Sequence, residues 1–265
     1  MKSKNAKIIF SVLGVLSIIS VGFYYYRAEI SLYAWNNYHI FPQMVMAFNE
    51  DATLALEVGN YYFNVYSNGV YDLKKAEYHF ERALMLDLYV KDAWHQLARI
   101  DFLEGNFDGA IFKINKQIEL HNDELMSSYY IRGLILGYMG RYDEAEENFL
   151  LFLEWDPKNW ATHTDLAWVY FSGSEYQKSA DIARAGLFYS QTNPWLLNML
   201  GVALINTGEI DEAKKILEFA LENANLLTET DWHKAYPGNN PNIGIQGLSE
   251  MKEAIQYNIT LTVSN

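Results

Sequence analysis

No cysteine occurs in the 265 residues. The chain therefore has no disulfide, no thiolate metal ligand and no cysteine nucleophile, and nothing on which a lipoprotein could carry its lipid. Prolines are few, at positions 42, 157, 194, 237 and 241. They stand clear of the helix interiors inferred below, as a helical array requires. The six histidines (39, 79, 95, 121, 163 and 233) are dispersed. There is no His-Glu-x-x-His, no histidine pair at helical spacing, no Gly-rich phosphate loop and no Gly-x-Ser-x-Gly elbow. Asp231-Trp232-His233 is the sole local acid/histidine cluster, and such a pair two residues apart is common by chance. Nothing supports an enzyme, and no metal or cofactor is expected.

Charge of one sign is missing from the start of the chain. The first 27 residues hold Lys2, Lys4, Lys7 and Arg27 and no acid, so the remainder carries −17 where the whole carries −13. An acidic body repels phosphates and excludes nucleic acid as a partner. Its ordinary meaning is a solvated surface.

What the chain has in abundance is periodicity. Small residues pair twelve apart at Ala98/Ala110, Gly133/Ala145, Ala167/Ser179 and Gly201/Ala213, with a looser first pair, Gly59/Ala76, seventeen apart. The first members step by 39, 35, 34 and 34 residues and the second by 34, 35, 34 and 34. A period this steady marks stacked helix pairs whose backbones approach closely at the small residues. The intervening turns repeat too: Gly140-Arg141-Tyr142-Asp143-Glu144-Ala145 and Gly208-Glu209-Ile210-Asp211-Glu212-Ala213 are near copies. Glycine suits the left-handed end of one helix, and the acids after it favour the start of the next. Five extra residues in the first copy fall in the stretch Val65–Val70, read as an inter-helix loop insertion.

With Trp94 and Leu97 ahead of Ala98, Phe80 and Phe149 four residues after the second small residue, and Asp156-Pro157 at a repeat end, the pattern resembles the tetratricopeptide repeat over roughly two-thirds of the chain. The fourth copy departs at Ala183 and Gly186, and Leu88 stands where proline often closes a repeat. The resemblance implies an all-α, right-handed superhelical solenoid of about five helix pairs. It also implies that the first helices line a concave groove, placing Arg99 of the second copy there, with Tyr130, Leu134 and Tyr138 of the third. Asp165, Trp168 and Phe171 follow from the fourth copy, and Trp195, Asn198, Met199 and Val202 from the fifth. Members of this family that clamp an acidic C-terminus use lysines and asparagines in the groove. Here the matching positions are His95, Arg99, Tyr130, Leu134, Thr164, Trp168, Asn198 and Val202, with one base among eight, so such a clamp is not expected. An aromatic, apolar groove suits a protein or peptide partner with hydrophobic anchors. Self-packing by the chain's own tail is the rival reading. A glycan stacked on Tyr130, Tyr138, Trp168 and Trp195 is the alternative ligand, with Asp165, Asn198 and Asn206 as its polar contacts.

Residues 1–7 are short and basic, and residues 8–26 form a nineteen-residue run without a charge, ending in Tyr24, Tyr25 and Tyr26. At 1.5 Å per residue such a run spans about 30 Å, the thickness of a hydrocarbon core. Lysines ahead of it favour a cytoplasmic N-terminus with the repeats on the other side. A cleaved signal peptide is the competing reading, with Ser20-Val21-Gly22 as its cleavage site, although no Ala-x-Ala follows and the run is long for a signal core. Residues 27–51 read as a juxtamembrane helical connector broken before Pro42, residues 52–225 as the repeats, and 226–265 as a connection and capping helix. In that last segment Leu248, Met251 and Ile255 recur at helical spacing, whereas Ile259–Val263 alternates like a strand. The expected function is that of a membrane-tethered, non-catalytic adaptor, in the assembly of a cell-envelope or secretion complex.

Overall fold

The computed structural model describes the backbone of residues 2–63, 70–121, 125–236 and 238–263, with side chains from residue 17 onward in those spans, residue 18 excepted. The insertion at Val65–Val70 lies, apart from Val70, outside the described residues. Among the described residues the architecture is all α. A solitary antiparallel bridge, Phe63 with Tyr71, closes the first inter-helix loop.

Five helix pairs stack in sequence: α3 (Ala52–Tyr62) with α4 (Leu73–Leu86), α5 (Ala93–Leu103) with α6 (Phe107–His121), α7 (Ser127–Tyr138) with α8 (Tyr142–Trp155), α9 (Trp160–Ser172) with α10 (Tyr176–Tyr189), and α11 (Pro194–Thr207) with α12 (Ile210–Ala224). Two helices precede them, α1 (Lys2–Tyr38) and α2 (Pro42–Phe48), and two follow, α13 (Glu229–Ala235) and α14 (Gly244–Leu261). Each second helix packs on the first helix of the next pair, so the array is a solenoid with a continuous apolar interior.

The small residues sit at the crossings. A β-carbon on Gly59 would lie 2.4 Å from the Phe80 ring, and one on Gly201 would lie 2.4 Å from Leu217. In the fourth pair the Ser179 hydroxyl donates to the Ala167 carbonyl at 2.8 Å. Bulk on one helix is matched by its absence on the other. Ala183, which departs from the family pattern, is fully buried in one apolar cluster with Ala167 and with Leu200 of the next pair.

The turns end helices as the glycines anticipate. Gly105, Gly140 and Gly208 have φ of 77°, 73° and 89°. The residue after each donates back five positions, as Arg141 N–H does to the Leu136 carbonyl at 2.9 Å, closing a Schellman-type end. In the fourth pair Ser174 takes that place at φ 63°.

The N-terminal helices form a cap. The Trp35 ring is fully buried among Val45, Met46, Leu54 and Val58, and its indole N–H donates to Glu57 at 3.2 Å. Tyr33, Tyr38 and Phe41 stay exposed, so the connector's aromatics divide between the first repeat and the surface. Among the described residues no helix is long and apolar enough to cross a membrane. About half of the 8–26 run falls on residues whose side chains lie outside the described set.

The strand expected at Ile259–Val263 is not formed: α14 continues to Leu261. Ile259 falls four residues after Ile255 and so continues the helical stripe, whereas Val263 is exposed beyond the helix end; among the described residues no sheet edge is present for the segment to join. Ile255 and Ile259 extend the Leu248–Met251 face onto Leu197, Ala220 and Ala224, which covers the apolar end of the fifth pair. A capping helix there keeps a solenoid end from exposing its core.

Candidate functional site: an aromatic channel with its own strap

The first helices of the second to fifth pairs carry a run of aromatic side chains around a polar centre. Tyr138 packs between Phe102, at 5.1 Å, and Trp168, at 4.9 Å between ring centroids. Gly137 makes room for that indole, since a β-carbon there would lie 2.9 Å from Trp168 Cζ3. Trp195 stacks on Trp160 at 5.1 Å. At the centre the Tyr130 hydroxyl donates to Asp165 Oδ2 at 2.6 Å, a charge-assisted contact between neighbouring pairs. Burial pushes the Asp165 carboxyl up to about 6 and the Tyr130 phenol well above its usual range. On the second pair Arg99 donates to Gln96 Oε1 at 2.8 Å, and Gln96 donates to Asn60 Oδ1 at 3.0 Å. The guanidinium lies 4.8 Å over the Phe63 ring. Burial lowers its pKa to about 10, which leaves it charged at neutral pH.

The chain's own C-terminal connection crosses this channel. Beyond α12 the Thr228 and Asp231 side chains form a capping box that starts the two-turn α13. Trp232 and Tyr236, one helical turn apart, stack at 4.4 Å. Tyr236 meets Trp195 edge-on at 6.3 Å, and burial raises its phenol to about 12. Gly238 follows at φ 87°, buried, with its α-carbon so near the first two pairs that a β-carbon would lie 2.5 Å from Arg99 Nη2 and 3.3 Å from Phe63. No other residue type fits there without displacement. The strap then turns at Pro241–Ile243 into α14, against which Trp232 packs over Gly247.

The expected groove residues therefore separate into groups. Arg99, Tyr130, Tyr138, Trp168 and Trp195 line the channel or adjoin the strap. Asn198 is engaged elsewhere, accepting from Asn258 of α14 at 2.9 Å. Phe171 packs on Tyr176 of its own pair at 5.3 Å. Leu134 and Met199 are half-buried against the inter-helix core, and Val202 is half-buried on α11. Gln96 accompanies Arg99 on the first helix of the second pair, where the repeat register already places it toward the groove. Phe63, Tyr236 and Gly238 join them at the channel and were not anticipated; the turn-rich Pro237-Gly238-Asn239-Asn240-Pro241 break was the signal within reach. Among the described residues no group of three or more histidine, aspartate or glutamate side chains is placed to hold a metal ion.

The model of the tetratricopeptide repeat matches residues 127–159 and 196–225, which hold α7–α8 and most of α11–α12. Several solved structures share the solenoid. PilW, described as a widely conserved type IV pilus biogenesis factor, is 16% identical, with 80% of this chain and 95% of that one covered at a TM-score of 0.59. A MamA structure is 19% identical over 70% of this chain and 95% of that one, at 0.55. YrrB, described as having an unusual peptide-binding site, is 14% identical over 69% and 92%, also at 0.55. At these identities the likeness is one of fold. No curated protein matches the chain in sequence. Residues 127–159 and 196–225 thus match the tetratricopeptide repeat, and the array shares the helix-pair solenoid fold of these structures.

Proposed function

We propose that this chain is a non-catalytic scaffold that binds a peptide segment of a protein partner in the channel formed by Arg99, Tyr130, Tyr138, Trp168 and Trp195. The observation that carries this reading is that a peptide segment, the strap, is already accommodated there through aromatic stacking. A channel that accepts one extended segment with aromatic anchors has the shape and chemistry to accept another. YrrB, with a peptide-binding site, and PilW, a pilus biogenesis factor, are built on the same fold. We further propose that residues 8–26 tether the scaffold to a membrane, with the N-terminus cytoplasmic and the repeats on the opposite side, where the partner belongs to a cell-envelope or secretion complex.

A photo-crosslinking amino acid at Tyr138, an exposed ring on the channel rim, tests the binding role in intact cells. It should capture a protein, and Trp168→Ala should reduce that capture at least tenfold. Retention of a polysaccharide in place of a protein would favour the glycan reading. For topology, the cysteine-free chain allows single thiols without background. Gln191→Cys should react with a membrane-impermeant reagent applied from outside the cytoplasm, and Ser3→Cys should not. Protection of both until lysis would refute the orientation.

A further inference from the structure

The strap is poorly suited to permanent occupancy. Its helix α13 is seven residues long and contributes no fully buried residue. Among the described residues the Trp232 indole nitrogen is enclosed without an acceptor, which opposes its burial. Yet the strap runs the length of the channel, from Trp195 on the fifth pair to Phe63 on the first. It is held at both ends by elements that would survive its release: α12 before it, and α14, seated on α11 and α12, after it.

We propose that the segment bearing Trp232, Tyr236 and Gly238 is a resident, displaceable ligand of the channel, and that the partner is a peptide of the same chemistry. Such a peptide carries two aromatic side chains one helical turn apart, followed within two residues by glycine, as in Trp232-His-Lys-Ala-Tyr236-Pro-Gly238. This rests on the channel being the binding site. Tyr236 supplies the anchor against Trp195. The glycine matters because only a residue without a β-carbon reaches the floor between Arg99 and Phe63. Tethering gives the strap an effective concentration in the millimolar range. A competing segment therefore succeeds by binding more tightly than the strap, for instance by giving its own aromatic group the hydrogen-bond partner that Trp232 lacks. The strap thus sets an affinity threshold that excludes weak aromatic peptides.

The probe is a fluorescent synthetic peptide spanning residues 227–243, titrated against the full chain and against a strap-opened double variant, Tyr236→Ala with Gly238→Leu. The opened variant should bind the peptide at least 100-fold more tightly than the wild type does. A peptide carrying Tyr236→Ala should lose at least tenfold in affinity for it. In the wild-type chain, which needs no variant to fold, peptide at about 1 mM should accelerate amide exchange across 229–240, matching the effective concentration of the tether. A folded opened variant that ignores the peptide would overturn the proposal, as would equal affinity in both chains or unchanged exchange. Dimers that exchange straps between copies would overturn it too, by naming a second copy as the occupant. Because no cellular partner enters this assay, its failure is read separately from a failure of partner capture.

Discussion

Gly133 lies beneath the ring of Phe149: a β-carbon on the glycine would come within 2.9 Å of Phe149 Cε1 and 3.0 Å of Cδ1. The ring is fully buried and has nowhere to retreat. Gly133→Leu should therefore destabilise the array by about 1–3 kcal/mol through overpacking. Denaturant unfolding measures this, and a change below about 0.5 kcal/mol would remove Gly133 from the crossing.

Asp101 is buried on α5 and is paired with Lys113 Nζ of α6 at 2.8 Å. Removing the lysine strands a carboxylate where water barely reaches it. Lys113→Ala should cost roughly 2–4 kcal/mol, whereas replacing both residues together, as Asp101→Leu with Lys113→Met, should recover most of that loss. Equal losses in the single and double variants would show that the pair contributes packing alone.

Ser174 holds the left-handed turn position that glycine takes at 105, 140 and 208. A side chain there opposes the backbone conformation. Ser174→Gly should raise stability by about 0.5–1 kcal/mol, visible as a higher thermal midpoint. A lower midpoint would mean that the serine side chain contributes more than its backbone strain.

Burial lowers His95 from 6.5 to about 3 and His79 from 6.5 to about 4. The unfolded chain therefore takes up protons first on acidification. The stability that these neutral histidines contribute is complete above about pH 7 and declines as pH falls through 6.5 towards their folded values. Between pH 7 and 5 each loses roughly 2 kcal/mol. Asp165 acts in the opposite sense, because its raised folded value of about 6 makes its contribution greatest below the unfolded value of 3.8 and lost as pH rises through 6. Two histidines outweigh one carboxyl. The melting midpoint should fall from pH 7 to 5, less steeply in His95→Gln and more steeply in Asp165→Asn. A wild-type midpoint higher at pH 5 would contradict this.

Much of the fold was legible because it repeats. A crossing needs a small residue, and five crossings 34 or so residues apart print the same requirement five times, so even Ala183 and Ser174 could be recognised as local exceptions. The capping helix was readable from Leu248, Met251 and Ile255, since a helix needs only local spacing. Ile259–Val263 misled because a five-residue alternation was read apart from Ile255, whose spacing to Ile259 continues the helix. Packing of the tail in the groove was one of the two readings open from the sequence, but its particular contacts were beyond reach for a different reason. Gly238 meets Arg99 across 139 positions of chain, and nothing local to either residue encodes that pairing. Asn198 likewise carries a contact that its register does not announce, with Asn258 sixty residues on.

The helix that precedes the repeats has a mechanical consequence. From Lys2 to Tyr38 it is unbroken, a rod of roughly 55 Å at 1.5 Å per residue. Its far end is locked into the first pair by Trp35, with Asn49 Nδ2 bonded to Ser31 Oγ at 3.2 Å. Through these contacts, turning the rod about its axis carries the first pair with it, and so the Phe63 end of the channel.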